Sequence, residues 1–207
     1  MIATEDQGEV MTARVETHRD RLLREGLVQL YARGFHGTTV DGILTSSGVP
    51  KGSFYHHFGS KEAFAAELLR GYTSRQLERI DRWSATPGLS TAEALTGYFG
   101  ELTGMLVESE YRRACLIGKL ATEVAVSNDQ FRDQLSLDLD VWKQRLTVLF
   151  ERGRERGDVR TDQPAAELAD VVLALIQGAF VVTLATRDRS SLESVAHALE
   201  ILIAPRG

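Results

Sequence analysis

Residues 49–64 read VPKGSFYHHFGSKEAF, and this stretch decides the interpretation of the chain. Gly48 ends the apolar segment before it, and Pro50 suits the first turn of a new helix because its missing N–H would be unpaired there anyway. In the helix that follows, Phe54 and Phe58 lie four residues apart and are expected to pack inward, so the Lys, Gly, Tyr and His residues face outward. Two short helices joined by a tight glycine-containing turn are typical of a helix-turn-helix.

The residues upstream supply the rest of a small helical domain. Thr17 with Asp20 is a weak helix start, and Gly34 is placed to stop that helix. Thr39 can cap the first helix of the pair. Gly26 and Gly42 occupy helical positions where they are expected to cost about 1 kcal/mol each relative to alanine. The first helix carries an apolar stripe of Leu23, Leu27, Leu30 and Tyr31, and the second carries Val40, Ile43 and Leu44.

The chain beyond residue 60 also has helical periodicity, and alternating strand patterns are nearly absent. Ser60 can cap a longer helix, residues 84–90 break the pattern, and amphipathic stretches follow at 91–108, 114–126 and 129–156. Residues 167–185 are apolar nearly all round, and Ser190 with Glu193 forms a capping box for a last helix. We therefore predict an all-α protein.

The predicted organisation is a flexible N-terminal arm at 1–16, a three-helix helix-turn-helix DNA-binding domain at 17–62, and a larger helical ligand-binding and dimerisation domain at 63–207. The breaker at 84–90 is interpreted as the domain junction.

Composition favours a cytoplasmic protein, and it predicts neither a cofactor nor a metal site. The chain has 207 residues with 43% hydrophobic and 26% charged, and its start resembles neither a secretory signal nor a membrane anchor. A single cysteine fits a reducing compartment. The apolar segment at 167–185 is interrupted by Asp170 and Gln177, so a buried interface helix is favoured over a membrane span.

Charge is distributed unevenly along a chain of net charge -5. Residues 14–61 carry 7 Lys/Arg against 4 Asp/Glu, whereas residues 62–207 carry 17 against 22 and residues 1–13 carry 0 against 3. Four of the five histidines also fall within 14–61. The N-terminal quarter is therefore the part suited to a polyanion.

The outward residues of the helix-turn-helix have the chemistry of DNA contact. Gly52 allows the backbone to approach closely, and Lys51 and Ser53 can donate to base edges or phosphates. Tyr55 can pack on a sugar or a thymine methyl group, and helix starts are natural phosphate sites. The predicted DNA-binding residues are Thr39, Lys51, Gly52, Ser53, Tyr55, His56, His57 and Lys61.

Two other interpretations of the same residues remain open. Tyr55 and the two histidines could merely cap a small hydrophobic core. A metal site made of His56, His57 and Glu62 is disfavoured because adjacent side chains on a helix diverge and no His-x-x-x-His occurs there.

The stretches GFHGTTVDGIL (34–44) and SGVPKGSFYHHFGSKEAF (47–64) resemble the TetR family of transcriptional regulators in order and spacing. The resemblance covers the N-terminal domain closely, and the rest mainly through helix number and length. It implies a homodimer paired through the last two helices, on a near-palindromic double-stranded DNA operator, and released by a small-molecule effector. The implied dimer residues are Val172, Leu175, Val195, Leu199 and Leu202.

The resemblance also places an effector pocket among the middle helices. Candidate wall residues are Tyr98, Phe99, Met105, Trp142 and Phe180, although aromatic residues at helical spacing are also typical of plain core.

Cys115 is the candidate sensor. Arg112 lies three residues before it and Lys119 four after, so on one helix both cations would share its face and favour thiolate. The segment is similar to that of a TetR branch that responds to reactive electrophiles or small unsaturated acids, in which GCL starts the corresponding helix. Here Ala114 replaces the Gly, and the penultimate helix has no Lys to pair with an oxidised sulfur. Packing as a small buried hydrophobe is the alternative role for Cys115.

The predicted function is a ligand-responsive regulator, most simply a repressor. The alternative is a DNA-binding activator or organiser without a small-molecule ligand. An enzyme is not expected, because the sequence contains no Walker loop, Rossmann fingerprint, G-x-S-x-G or zincin motif.

Overall fold

The structure is a computed structural model, and it describes residues 16–206. The predicted arm at 1–16 lies outside the described residues except for Glu16. Within 16–206 the chain forms helices and no β-strand, which confirms the all-α prediction. The helices are α1 (His18–Gly37), α2 (Val40–Ser47), α3 (Lys51–Phe58), α4 (Lys61–Ser84), α5 (Thr91–Glu108), α6 (Leu116–Val124), α7 (Asp129–Arg156), α8 (Ala165–Thr186) and α9 (Ser190–Ile203).

Polar caps fix the starts of the N-terminal helices as the sequence predicts. Thr17 and Asp20 form a capping box at α1. The Thr39 hydroxyl accepts from Gly42 N at 3.0 Å, and the Ser60 hydroxyl accepts from Ala63 N at 3.0 Å. Each cap pairs a backbone N–H that a helix start otherwise leaves unsatisfied.

Gly34 and Gly48 act as conformational breaks. Gly48 ends α2 with a φ of 63°, and Gly34 has a φ of 71°, which interrupts the regular geometry of α1 three residues before its last residue. Both values lie in the left-handed region that glycine adopts without steric cost. The break at Gly34 turns the end of α1 toward α6.

Gly26 has a packing role that helix propensity alone does not predict. A Cβ at this position would overlap the ring of Phe64 on α4. The missing side chain lets α1 and α4 approach closely around Phe54, Phe58 and Phe64, whose rings pack with centroids 4.8–5.4 Å apart. The unfavourable propensity of Gly26 is therefore offset by aromatic packing.

The C-terminal helices pack around α7 and α8. Helix α7 contacts both α4 and α8, and α9 covers α8 and α5. The predicted stretches at 91–108 and 129–156 coincide with α5 and α7, whereas α6 begins two residues later than the predicted 114. Helix α4 belongs to both halves, since it contacts α1 and α3 as well as α5 and α7.

The predicted capping box of the last helix is wrong. Ser190 is the first residue of α9, and its N–H and hydroxyl both donate to the Asp188 carboxylate, at 3.1 and 2.6 Å. The helix begins one residue too early for Ser190 to be the cap, so Glu193 has no capping partner in it.

Helix α8 is long and apolar enough to cross a membrane by length and composition, with 44% of its apolar window buried inside the protein. It packs against α7 and α9 along one side. The core helix of a soluble protein passes the same test of length and hydropathy.

Two of the predicted dimer residues are corrected by the structure. Val172 and Leu199 are 0% exposed and belong to the core of the protomer, so their side chains cannot reach a partner. Leu175, Val195 and Leu202 are only half-buried. The exposed stripe of α8 instead follows the spacing Val171, Ala174, Gly178, Val181, Val182 and Ala185.

Candidate nucleic-acid interface and effector cavity

Helix α3 separates an inner face from an outer face as the sequence predicts. Phe54 is 0% and Phe58 8% exposed, whereas Tyr55 is 47% exposed. The two faces differ because residues four apart return to the same side of a helix. The exposed residues of α3 are Lys51, Gly52, Tyr55, His56 and His57, and Ser53 is half-buried.

The start of α3 is open to a ligand. Apart from its chain neighbours and the backbone of its own helix, no heavy atom lies within 4 Å of where a Cβ of Gly52 would be. Lys51 Nζ lies 3.4 Å from the Asp41 carboxylate, but both side chains are exposed, and such a pair contributes little to stability. Lys51 can therefore exchange Asp41 for a phosphate at small cost.

Neighbouring helices hold α3 in place. Ser53 Oγ lies 3.2 Å from His18 Nδ1 at the first residue of α1. Lys61 was predicted to bind a DNA phosphate. In the structure its Nζ lies 4.3 Å from the centroid of the Phe35 ring, in a cation–π contact. Thr39 is exposed, and its hydroxyl already caps α2.

A cavity of about 740 Å³ lies between the N-terminal helices and the C-terminal bundle. Its wall combines apolar residues with arginines and tyrosines. The lining side chains come from α1, α4, α5, α8 and the loop before α6, and they include Tyr31, Tyr72, Arg75, Gln76, Arg79, Leu102, Met105, Arg113, Cys115 and Phe180.

The structure brings three of the six predicted ligand residues to this cavity: Met105, Cys115 and Phe180. The other three are core. Tyr98 and Phe99 are each 1% exposed and Trp142 is 0% exposed. Tyr98 lies one layer behind the wall, where its hydroxyl donates to Gln76 Oε1 at 3.4 Å.

Cys115 is buried at the cap position of α6, and its surroundings differ from those predicted. Its sulfur accepts from Gln177 Nε2 on α8 at 3.2 Å. Arg112 lies in the loop before α6, where it pairs with Glu110 at 2.8 Å, and Lys119 Nζ donates to the carbonyl of Tyr31 at 2.5 Å. The prediction that both cations share one helical face with Cys115 is wrong because the helix begins after Cys115.

The loop before α6 holds strained backbone. Glu110 and Tyr111 have φ values of 54° and 58°, which cost a non-glycine residue about 1–2 kcal/mol each. Arg187 Nη1 donates to both of their carbonyl oxygens, at 2.8 and 2.9 Å. These bonds fix the loop that carries Arg113 to the cavity.

Helix α6 joins the cavity to the end of α1. It starts at the cavity wall beside Cys115, and one turn further on Lys119 binds the carbonyl of Tyr31. Another turn along, the Glu123 carboxylate accepts from Phe35 N at 2.9 Å and from His36 N at 2.7 Å. A side chain at Gly34 would collide with this carboxylate, so the glycine is needed here.

Tyr31 lines the cavity together with Arg75, Arg79 and Arg113. Burial raises the pKa of Tyr31 far above its usual value and the nearby Cys115 adds to this effect, while the positive charges of Arg75, Arg113 and Arg79 act in the opposite direction. The phenol therefore stays neutral and able to donate at physiological pH.

Within residues 16–206 no group of three or more His, Cys, Asp or Glu side chains is arranged to hold a metal ion. The His56 and His57 rings lie with centroids 5.3 Å apart on the exposed side of α3.

Both halves of the chain match family models. Residues 22–68 match the model of the bacterial regulatory proteins of the tetR family, and residues 91–199 match the tetracyclin repressor-like C-terminal domain. The chain belongs to the TetR family of transcriptional regulators. TetR-family regulators are DNA-binding proteins, and the helix-turn-helix and helical C-terminal domain predicted from the sequence are those of the family.

Individual relatives agree with this assignment. The chain is 30% identical over 175 residues to the HTH-type transcriptional repressor DhaR of Mycobacterium sp. (strain GP1), which covers 84% of this chain and 86% of that protein. It is 30% identical over 160 residues to the transcriptional regulator AcuR of Cereibacter sphaeroides, covering 77% and 73%. The crystal structure of E. coli NemR in its reduced form is similar with a TM-score of 0.83 at 26% identity, covering 90% and 97%.

The sequence analysis did not assign several residues of the site. Tyr31 was predicted only as core, and Arg75, Arg113 and Glu123 were not singled out at all. For Glu123 a usable signal is the Lys-x-x-x-Glu spacing with Lys119, which puts two opposite charges on one face of a short amphipathic helix.

Proposed function

We propose that this TetR-family protein is a ligand-responsive repressor that binds a near-palindromic operator as a homodimer and leaves it when a small effector enters the cavity. Residues 17–62 form its DNA-binding domain and residues 63–207 its effector-binding and dimerisation domain. The protein acts in the cytoplasm, as a soluble DNA-binding regulator does.

The observation that carries this proposal is the course of α6. One end of the helix borders the cavity at Cys115. One turn on, Lys119 binds the carbonyl of Tyr31, and at the other end Glu123 binds the terminus of α1. A ligand that displaces α6 changes the seating of α1, and α1 packs directly on α2 and α3. The effector thus favours dimers whose α3 helices no longer match the operator, which is a shift between two populations.

On DNA, α3 enters the major groove with its N-terminus first. Lys51 and Gly52 approach the bases or phosphates, and Tyr55 packs on sugar or a thymine methyl group. His56 and His57 contact the backbone. Thr39 and Lys61 at the starts of α2 and α4, together with Ser53, complete the contacts on either side.

The homodimer pairs through α8 and α9. The exposed stripe of α8 supplies apolar surface at Val171, Val181 and Val182, which are 45%, 62% and 45% exposed. Leu175 and Leu202 flank it with partly buried side chains. Pairing sets the two α3 helices about one DNA turn apart, roughly 34–36 Å.

Fluorescence anisotropy with the DNA upstream of the protein's own gene tests the proposal. Specific binding of two protomers per site is expected, with release by compounds that stabilise the protein in a thermal-shift screen. Met105→Trp fills the cavity, so it should bind DNA and resist release. Leu137→Trp is the matched control, because Leu137 is 60% exposed and lies outside the cavity.

Two results would count against a ligand-responsive repressor. Specific DNA binding that no stabilising compound alters would favour an organiser that needs no effector. Release of the Met105→Trp variant at the same compound concentration as the control would remove the cavity from the mechanism.

A further inference from the structure

One acidic side chain lies in the part of the chain that is suited to DNA. Asp41 is the only Asp or Glu within residues 26–61, a stretch that also holds Arg33, Lys51, Lys61 and three histidines. It is the second residue of α2, and its side chain is 80% exposed. Negative charge opposes association with DNA, so the position of this acid requires an explanation other than affinity.

Asp41 and Lys51 come together at the start of α3. The Asp41 Oδ1 atom lies 3.4 Å from Nζ of Lys51, which is the first residue of that helix and is itself exposed. In a helix-turn-helix the N-terminal residues of the second helix reach the base edges in the major groove. The contact with Lys51 therefore holds the Asp41 carboxylate at the place where α3 meets DNA.

Helix stability accounts for only part of this arrangement. A carboxylate in the first turn of a helix interacts favourably with the helix dipole, and Thr39 already caps α2. Asp129 has the same setting on α7: it lies in the first turn, its side chain is 83% exposed, and it pairs with Arg132 at 2.7 Å. Asp129 thus reproduces the dipole effect and the surface ion pair of Asp41 outside the DNA-binding domain.

The carboxylate limits which DNA groups Asp41 can bind, because it accepts hydrogen bonds and cannot donate one. Phosphate oxygens, guanine N7 and O6, and thymine O4 are acceptors too, so they repel it. The donors of the major groove are the amino groups of cytosine (N4) and adenine (N6). Adenine N6 lies between two acceptors, adenine N7 and thymine O4, whereas cytosine N4 has guanine O6 on one side only. Cytosine is therefore the base that accommodates this carboxylate best.

Resting on the DNA-binding function proposed above, we propose that Asp41 is a specificity-determining residue that reads a cytosine in each half-site of the operator. In the free protein its carboxylate pairs with Lys51. On the operator the carboxylate accepts from the cytosine N4 amino group, and Lys51 exchanges to a neighbouring phosphate. Where no such amino group is within reach, the ion pair stays closed and Lys51 contributes less. The pair thus lowers non-specific affinity more than operator affinity.

Binding selection from a library of randomised duplexes locates the cytosine. Wild type, Asp41→Ala and the matched control Asp129→Ala are each used to select sequences. We expect one cytosine per half-site that wild type and Asp129→Ala select and Asp41→Ala does not, with the other positions retained. Asp41→Asn should select adenine at that position, because an amide side chain matches adenine N6 and N7.

A modified operator tests the hydrogen bond itself. N4-methylcytosine keeps its base pair but carries a methyl group in place of the N–H that faces the major groove. At the selected position it should weaken wild-type binding by about tenfold per half-site in fluorescence anisotropy, and leave Asp41→Ala unaffected. Asp41→Ala should also bind a duplex of unrelated sequence about tenfold more tightly than wild type does.

The outcomes separate this inference from the proposed function. Base preferences that Asp41→Ala shares with wild type would overturn the assignment, as would a loss of preference that Asp129→Ala also shows. Equal binding of wild type to the cytosine and N4-methylcytosine operators would overturn it too, and this measurement needs no variant to fold. Failure of wild type to select any sequence would instead reject the proposed function.

Discussion

Removing the Glu123 carboxylate should loosen the end of α1. In Glu123→Ala the N–H groups of Phe35 and His36 lose an ionised acceptor at 2.9 and 2.7 Å. Phe35 is 6% exposed, so water replaces its lost bond poorly, whereas exposed His36 is readily hydrated. A bond to a charged group contributes about 1.5–3 kcal/mol, and a rehydrated one much less. We therefore expect a loss of about 2–3 kcal/mol in the free energy of unfolding.

Urea unfolding followed by circular dichroism gives the global effect, and amide hydrogen exchange gives the local one. Exchange at Phe35 and His36 should accelerate by about 30- to 150-fold if the break stays local. Glu155→Ala is the matched control, since Glu155 is an exposed glutamate near the end of α7. Glu123→Gln should cost about 1 kcal/mol, because the amide can still accept one of the two bonds.

A Glu123→Ala protein within about 0.5 kcal/mol of wild type, with unchanged exchange at Phe35, would refute this account of the α1 terminus. An intact terminus together with an unchanged effector response would also remove α6 from the proposed coupling.

Three further predictions concern charge, pairing and pH. Lys51→Gln in both protomers should reduce the slope of log K against log salt by about 1.8, if each lysine neutralises one phosphate, and an unchanged slope would show that Lys51 contacts none. Val181→Asp should give folded monomers in light scattering, whereas Val172→Asp should fail to fold because that side chain is fully buried; a dimeric Val181→Asp would place the interface elsewhere. The hydrogen bond from Arg160 lowers the pKa of Asp162 to about 2, below about 3.9 when unfolded, so its stabilisation is present above about pH 4 and lost as pH falls toward 2. The melting temperatures of Asp162→Asn and wild type should therefore converge over that range, and a constant gap would contradict the sign.

Local signals predict this fold well. Caps such as Thr39 and Ser60 act on N–H groups three residues away, and Gly48 marks its own backbone conformation, so short windows of sequence contain the information. Periodicity likewise gives α5 and α7 their bounds. The capping box predicted at Ser190 is wrong because the Ser190 hydroxyl donates to Asp188, two residues earlier, instead of capping the helix.

The site is harder to predict because its contacts join distant segments. Periodicity shows that Val172 faces inward, but it cannot say whether inward means the protomer core or a partner. Glu123 binds backbone 87 and 88 residues away, and no local pattern records such a contact. Lys119 was assigned to Cys115 by its spacing alone, whereas the fold directs it to Tyr31.

The link between α6 and α1 is asymmetric in its chemistry. On the α1 side every participating atom is main chain: the carbonyl of Tyr31 and the N–H groups of Phe35 and His36. On the α6 side all three participating atoms, Lys119 Nζ and the two carboxylate oxygens of Glu123, belong to side chains. Most substitutions in α1 therefore leave the hydrogen bonds to Lys119 and Glu123 intact. Gly34 is the exception, because a side chain there would collide with the Glu123 carboxylate. In evolutionary terms, substitutions in the N-terminal helices can change DNA preference while Lys119 and Glu123 on α6 preserve the proposed connection between the cavity and α1.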